Sequence, residues 1–427
     1  MADPRHNLTL PMPLPQAHPA PGIQPRRTLA DAAFIVLFVW MTLSRVQAQT
    51  PPQSELLFPL ESWHNHGSSL VEAPDGDLLA CWFHGSGERK ADDVRIEAAR
   101  LPRGADRWSP RFTLADTPGY PDCNPSLHVD STQRLWLFYP TILDNRWEGA
   151  LLKFQVSSNW LGSGAPRWDR KEVLHVTPGP EFEAGIRSSL PRLESLASEH
   201  TRDWSDQTRR EVREYLDALG QNSTNLLYRR LGWMPRAHPI SIGDRLVLGV
   251  YHDGFSVALM AITDDDGAHW HTSAPLVGGG NIQPCLARRS DGTLVTFMRD
   301  NGPPPKRVLV AESTDRGDHW GPVTDSQIPN PGSGCDIAVL KDGTWAWIGN
   351  DTEEGRHRLS VWLSNDEGRS WKWKRAIEDG TPMESFSYPS LIQTRDGKLH
   401  ATYSVHLPAG KSIRHTVIDP AWIRSAP

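Results

Sequence analysis

TDDDGAHW (263–270), STDRGDHW (313–320) and SNDEGRSW (364–371) are three copies of one pattern, Ser/Thr-x-Asp-x-Gly-x-x-Trp. Their aspartates, Asp265, Asp315 and Asp366, recur at intervals of 50 and 51 residues. A fixed period in that range marks a repeat architecture, in which each unit is one supersecondary module that buries its apolar face only against its neighbours. The octad itself suits a hairpin turn. Asp accepts from the turn amides, Gly takes a positive φ, Ser or Thr ties back to the backbone, and Trp fills the space between adjacent sheets.

A second repeat extends the first upstream: an apolar strand, a turn and another apolar strand. It occurs as GSSLVEAPDGDL (67–78), NPSLHVDSTQRL (124–135), HPISIGDRL (238–246), QPCLARRSDGTL (283–294), GCDIAVLKDGTW (334–345) and YPSLIQTRDGKL (388–399). Six units predict an all-β, six-bladed β-propeller over residues 55–420. The interval between the second and third units is about twice the others, and residues 187–231 fill it. That stretch is charged, nearly free of β-branched residues, and carries Leu, Trp and Tyr at helical spacing, so it reads as a one- or two-helix insertion, either packed on the outside or closing over one face.

Residues 1–25 are rich in Pro and His and read as a disordered extension. Arg26 and Arg27 precede the apolar run 32–43, and Val46-Gln47-Ala48 fits a small-residue cleavage site. Residues 26–48 thus read as a signal peptide whose 12-residue apolar run is too short to remain as a membrane anchor. The expectation is a secreted or periplasmic protein. With 18 Trp, 34 Gly and 36 Pro in 427 residues the composition suits a soluble β protein, and a net charge of −6 argues against a nucleic-acid partner. Cys81, Cys123, Cys285 and Cys335 match no metal-ligand spacing and read most simply as buried free thiols, although export permits disulfides. No cofactor or metal motif is present, and His64, His66 and His238 lack metal-site spacing.

In a propeller the first strand of each blade lines the central channel. The residues at the head of each unit, His66, Asn124, His238, Gln283, Asp336 and Tyr388, are therefore expected to converge, and all six are polar or aromatic. Such a ring points to a ligand site at one end of the channel.

From about residue 63 to 413 the chain resembles the sialidase superfamily, the proteins with bacterial neuraminidase (Asp-box) repeats. The resemblance implies an exo-glycosidase acting on terminal acidic sugars of glycans. On it, the acid/base falls on Asp92 or Asp93 of GSGERKADD (85–93), and the nucleophile on Tyr388 of YPSL. Arginines of a carboxylate clamp fall on Arg299 of TFMRDN and on Arg356 or Arg358 of GRHRLSVWLS, with Arg236 as a further cation. Two positions depart from the family. His66 stands where sialidases have Arg, and Gln283 stands where they have the Glu that assists the tyrosine. The base then falls to Glu384, four residues before Tyr388, or to a histidine, unless the chemistry is another. His64, His66 and His238, with Asp253 of YHDGF, also permit a propeller lyase acting on uronic acids through His and Tyr, with Arg holding the uronate. A non-catalytic glycan-binding propeller is the third reading.

Overall fold

The computed structural model describes residues 51–200 and 204–425. The disordered extension and the signal segment expected from the sequence, residues 1–25 and 26–48, lie outside them. Six four-stranded antiparallel blades follow one another along the chain, the third with its inner strand in two pieces. Blade I comprises His64–Glu72, Leu78–Gly85, Arg95–Leu101 and Phe112–Ala115. Blade II comprises Ser126–Val129, Leu135–Ile142, Ala150–Ser157 and Arg170–Val173. In blade III, Trp233–Pro235 and Ile240–Ile242 both pair with Arg245–His252, and Val257–Thr263 and His271–Thr272 follow. Blade IV is Asn281–Arg288, Leu294–Asp300, Arg307–Ser313 and Thr324–Pro329; blade V is Asp336–Val339, Trp345–Asn350, Arg358–Ser364 and Trp373–Asp379. Blade VI uses Ser385–Gln393, Leu399–Leu407 and Gly410–Ile418, and its outer strand, Gln53–Leu56, comes from the other end of the chain. That pairing closes the ring and covers the outer edge of Gly410–Ile418.

The three octads lie between the third and fourth strands of blades III, IV and V. In each, the Ser or Thr hydroxyl accepts from the glycine amide: Gly267 N to Thr263 Oγ1 at 2.9 Å, Gly317 N to Ser313 Oγ at 3.0 Å, and Gly368 N to Ser364 Oγ at 2.9 Å. The Asp carboxylates accept from the amides of His269, His319 and Ser370. Trp270 packs on Phe138 and Phe154 of blade II, and Trp371 on Phe297 of blade IV, so each plugs the gap to the preceding blade. Blades I and II retain of this pattern chiefly Trp108 and Trp168, whose indole N–H groups donate to the preceding blade, to Glu55 Oε1 of blade VI and to the Leu114 carbonyl of blade I.

The insertion is longer than the sequence reading gave it. Helix α1 spans Pro180–His200, α2 spans Asp206–Asn222 and α3 spans Leu226–Arg230. Pro180 sits at the start of α1, where a missing N–H costs nothing, and Ser205 and Asn225 cap α2 and α3. Phe182 and Ile186 bury against blade III with Trp233 and Phe255, and Tyr215 Oη donates to the Phe255 carbonyl. The four cysteines are buried free thiols, with Cys285 Sγ of blade IV 3.8 Å from Cys335 Sγ, the residue just before the inner strand of blade V.

Candidate active site

The inner strands bend at matching places. Gly67, Asn124, Gln283 and Tyr388 all have left-handed backbones, with φ of 62°, 42°, 54° and 55°. In blades I, IV and VI the strand register slips across this residue. A bulge of this kind re-aims a side chain, and a left-handed conformation in non-glycine residues is strain that clusters at functional sites. Asn124, Gln283 and Tyr388 are thereby turned into one cavity of about 240 Å³ at the channel mouth. Blade I carries glycine at the bend because a Cβ there would lie 2.7 Å from the Phe83 ring. His66, one residue earlier, reaches the cavity instead.

Tyr388 is the floor. Arg299 Nη1 donates to its phenol oxygen at 2.8 Å and Gln283 Nε2 at 3.1 Å. The same Gln283 nitrogen donates at 3.2 Å to Tyr251 Oη, which also accepts from Asn124 Nδ2 at 3.2 Å. The guanidinium groups of Arg236 and Arg356 lie 5.0 and 5.4 Å from the Tyr388 ring centroid. The His66 ring is 4.2 Å from it, with Nδ1 hydrogen-bonded to Ser404 Oγ at 2.8 Å. Burial raises the Tyr388 pKa, but the Arg299 and Arg356 charges and the Gln283 amide outweigh it, leaving the phenol below the ordinary tyrosine range. Tyr251 goes the other way, pushed well up by burial. Burial holds His66 well below the usual histidine range and His64, behind it, at about 3, so neither imidazole is a cation near neutral pH.

Two carboxylates line the wall. Asp253, in the tight connection after the second strand of blade III, is raised to about 6 by burial, against the pull of Arg299. Its carboxylate takes no hydrogen bond from any described residue. Glu88, in the corresponding connection of blade I, spends one oxygen on Arg89 at 2.9 Å. Trp147 and Asn301 complete the lining; Asn301 Oδ1 accepts from Arg299 Nη2 at 3.1 Å.

Of the residues singled out in the sequence, His66, Asn124, Asp253, Gln283, Arg299, Arg356 and Tyr388 meet in this cavity. The others do not. Asp93 is consumed by its own loop, accepting from Ser86 N and Oγ, and exposed Asp92 accepts from Asn145 Nδ2, so the acid that loop brings to the cavity is Glu88. Glu384 closes a turn, accepting from Thr381 N at 2.7 Å. Arg358 is exposed on the third strand of blade V, 3.8 Å from Asp379. Arg236 is 2 % exposed and donates to the Ser68 and Pro389 carbonyls, so it lies beneath Tyr388 and out of reach of a ligand. His64 packs behind His66 against Phe83 and His406.

His238 and Asp336 form a pair deeper in the channel. Their Nδ1 and Oδ2 are 3.0 Å apart, His238 Nε2 is 2.9 Å from the Leu70 carbonyl, and Leu391 N donates to Asp336 at 2.8 Å. This stitches blades I, III, V and VI together. Blade V has Gly334 where its neighbours bend, since a Cβ there would lie 2.9 Å from Gln283 Oε1, and Asp336 is two residues further down the strand.

Glu88, Trp147, Tyr251 and Asn301 were missed by the sequence reading. Tyr251 and Asn301 stand beside residues it picked, while Glu88 and Trp147 lie on loops with no repeat to mark them. None of the insertion's described residues lines this cavity. A larger cavity, about 540 Å³, opens between blades VI and I among Arg103, Arg395, His400 and His415, but none of the bent residues reaches it.

Residues 76–189 and 173–401 match the model of the BNR repeat-like domain. No curated protein matches the sequence. Similar solved structures include a protein of unknown function from Dyadobacter fermentans, 12 % identical, covering 87 % of this chain and 98 % of that one with a TM-score of 0.64. The leech intramolecular trans-sialidase complexed with 2,7-anhydro-Neu5Ac is 13 % identical over 87 % of this chain and 71 % of its own, with a TM-score of 0.61. The NanB sialidase of Streptococcus pneumoniae is 12 % identical over 88 % and 71 %, also at 0.61. Likeness at these identities is likeness of fold. By its repeats, its six blades and the family model that spans most of it, the chain belongs to the BNR repeat-like domain family.

Proposed function

We propose that the protein is an exported exo-glycosidase of the sialidase type, removing terminal acidic sugars from glycans. The observation that carries this reading is the Tyr388 phenol at the channel mouth, with Arg299 Nη1 at 2.8 Å and Arg356 alongside, in a cavity large enough for one sugar ring. Guanidinium groups hold a carboxylate in a fork that a lysine does not reproduce. With the sugar's carboxylate on Arg299 and Arg356, Tyr388 would attack the anomeric carbon and Asp253 would protonate the departing oxygen. Water would then release the sugar with retained configuration. Asp253 suits the acid role because burial keeps its proton on to about pH 6.

The test is a panel of fluorogenic acidic-sugar glycosides, including a methylumbelliferyl sialoside, on the mature protein. The expected result is fluorophore release that declines as pH rises through about 6 and is lost in Asp253→Asn. Ultraviolet absorbance of an unsaturated uronate would mean a lyase, and glycan retention without turnover a binding protein.

A further inference from the structure

Three arginines surround one phenol, and among the described residues none of them has a carboxylate of its own. Arg236 donates to two backbone carbonyls, Arg356 Nη2 to the Gly332 carbonyl at 2.8 Å, and Arg299 to Asn301 and Tyr388. Asp336, the acid whose charge acts most on Arg236, is engaged by His238. Three buried or half-buried cations without a counter-ion are costly unless an anion is supplied. The position where a carboxylate base for Tyr388 would stand holds Gln283, whose amide donates to the phenol oxygen. Every polar contact to Tyr388 Oη is thus a donor, and two guanidinium groups face its ring, an arrangement strengthened when the ring is anionic.

We propose that Tyr388 rests as a tyrosinate, held by Arg299, Arg236 and Arg356, so that the site presents a ready anionic nucleophile and needs no general base. The groups facing it from the other blades do not reverse this. His66 is neutral, Tyr251 keeps its proton and Glu88 is turned to Arg89, so what opposes ionisation is burial and the Asp253 charge. In the reaction proposed above, the phenolate oxygen would form the bond to the anomeric carbon while the glycosidic C–O bond breaks. The leaving oxygen would take the Asp253 proton, and Tyr388 would release none. That use rests on the glycosidase reading, whereas the ionisation itself is measured without substrate.

The experiment is a spectrophotometric pH titration of tyrosinate in the folded protein. Of seven tyrosines, one should already be ionised at neutral pH, well ahead of the main wave, which lies at about 10 or above. The early wave should vanish in Tyr388→Phe and shift to higher pH in Arg299→Gln. It should also shift upward in Gln283→Glu, because a carboxylate beside the phenol disfavours its charge. A single wave, an early wave that survives Tyr388→Phe, or one unmoved by Arg299→Gln would overturn the proposal. An early wave in a protein that cleaves no glycoside would leave this inference standing and remove the glycosidase reading.

Discussion

The two ends of this propeller are built by opposite rules. At the octad end each turn is self-contained: Thr263, Asp265 and Gly267 satisfy one another within five residues, and the unit repeats in blades IV and V with the same bonds. At the channel mouth nothing is self-contained. Tyr388 of blade VI meets Arg299 and Gln283 of blade IV, Arg356 of blade V and His66 of blade I, each more than 30 residues away in sequence. The first end carries stability in pieces that stand alone, whereas the second carries chemistry that exists only when the ring closes.

If that division is right, substitutions at the two ends separate activity from stability. The largest effect belongs to Tyr388→Phe, which should lower kcat/KM by about 10⁴-fold, ~5 kcal/mol of transition-state stabilisation, with little change in melting temperature. Steady-state kinetics beside a thermal melt reads both. Next comes the channel pair. Burial opposes the charge on His238, but Asp336 and the Leu70 carbonyl raise its pKa, so Asp336→Ala strands a buried cation and should cost about 3–5 kcal/mol of stability by denaturant unfolding. The sign follows from the raised folded-state value. The pair's contribution is fully present below about pH 6.5 and is lost as pH climbs through the His238 value in the folded protein.

At the octad end, Asp315→Ala frees the His319 amide and should lower stability by about 1–3 kcal/mol while leaving KM and kcat alone. A selective loss of activity there would erase the distinction between the ends. The smallest effects fall on residues the sequence placed in the site and the fold does not. Arg358→Ala and Asp92→Ala should each stay within about 0.5 kcal/mol in stability and leave turnover unchanged.

The same division explains what the sequence could show. The octads and the paired-strand units are local, so blade number and the phase of every inner strand could be read directly. The bend positions were legible too, as Asn-Pro, Gln-Pro and Tyr-Pro at the unit heads, and they brought Asn124, Gln283 and Tyr388 into view. His238 heads its unit as His-Pro and still misses the cavity, because the inner strand of blade III is broken there, and Asp336 misses it because Gly334 holds the bend position of blade V two residues earlier. Loop residues were the least legible. Asp92 and Asp93 looked like the acid of their loop, yet Ser86 and Asn145 occupy them and Glu88 turns inward. The start of α1 at Pro180 was missed because Phe182 and Ile186 precede the charged stretch that marks the insertion.

The most direct test of the account is to quench the protein during turnover of a slow, fluorinated acidic-sugar glycoside, digest it, and locate any attached sugar by mass spectrometry. The account predicts one sugar on the peptide containing Tyr388 and none in Tyr388→Phe. A sugar on Asp253 or Glu88, or undiminished turnover by Tyr388→Phe, would contradict it.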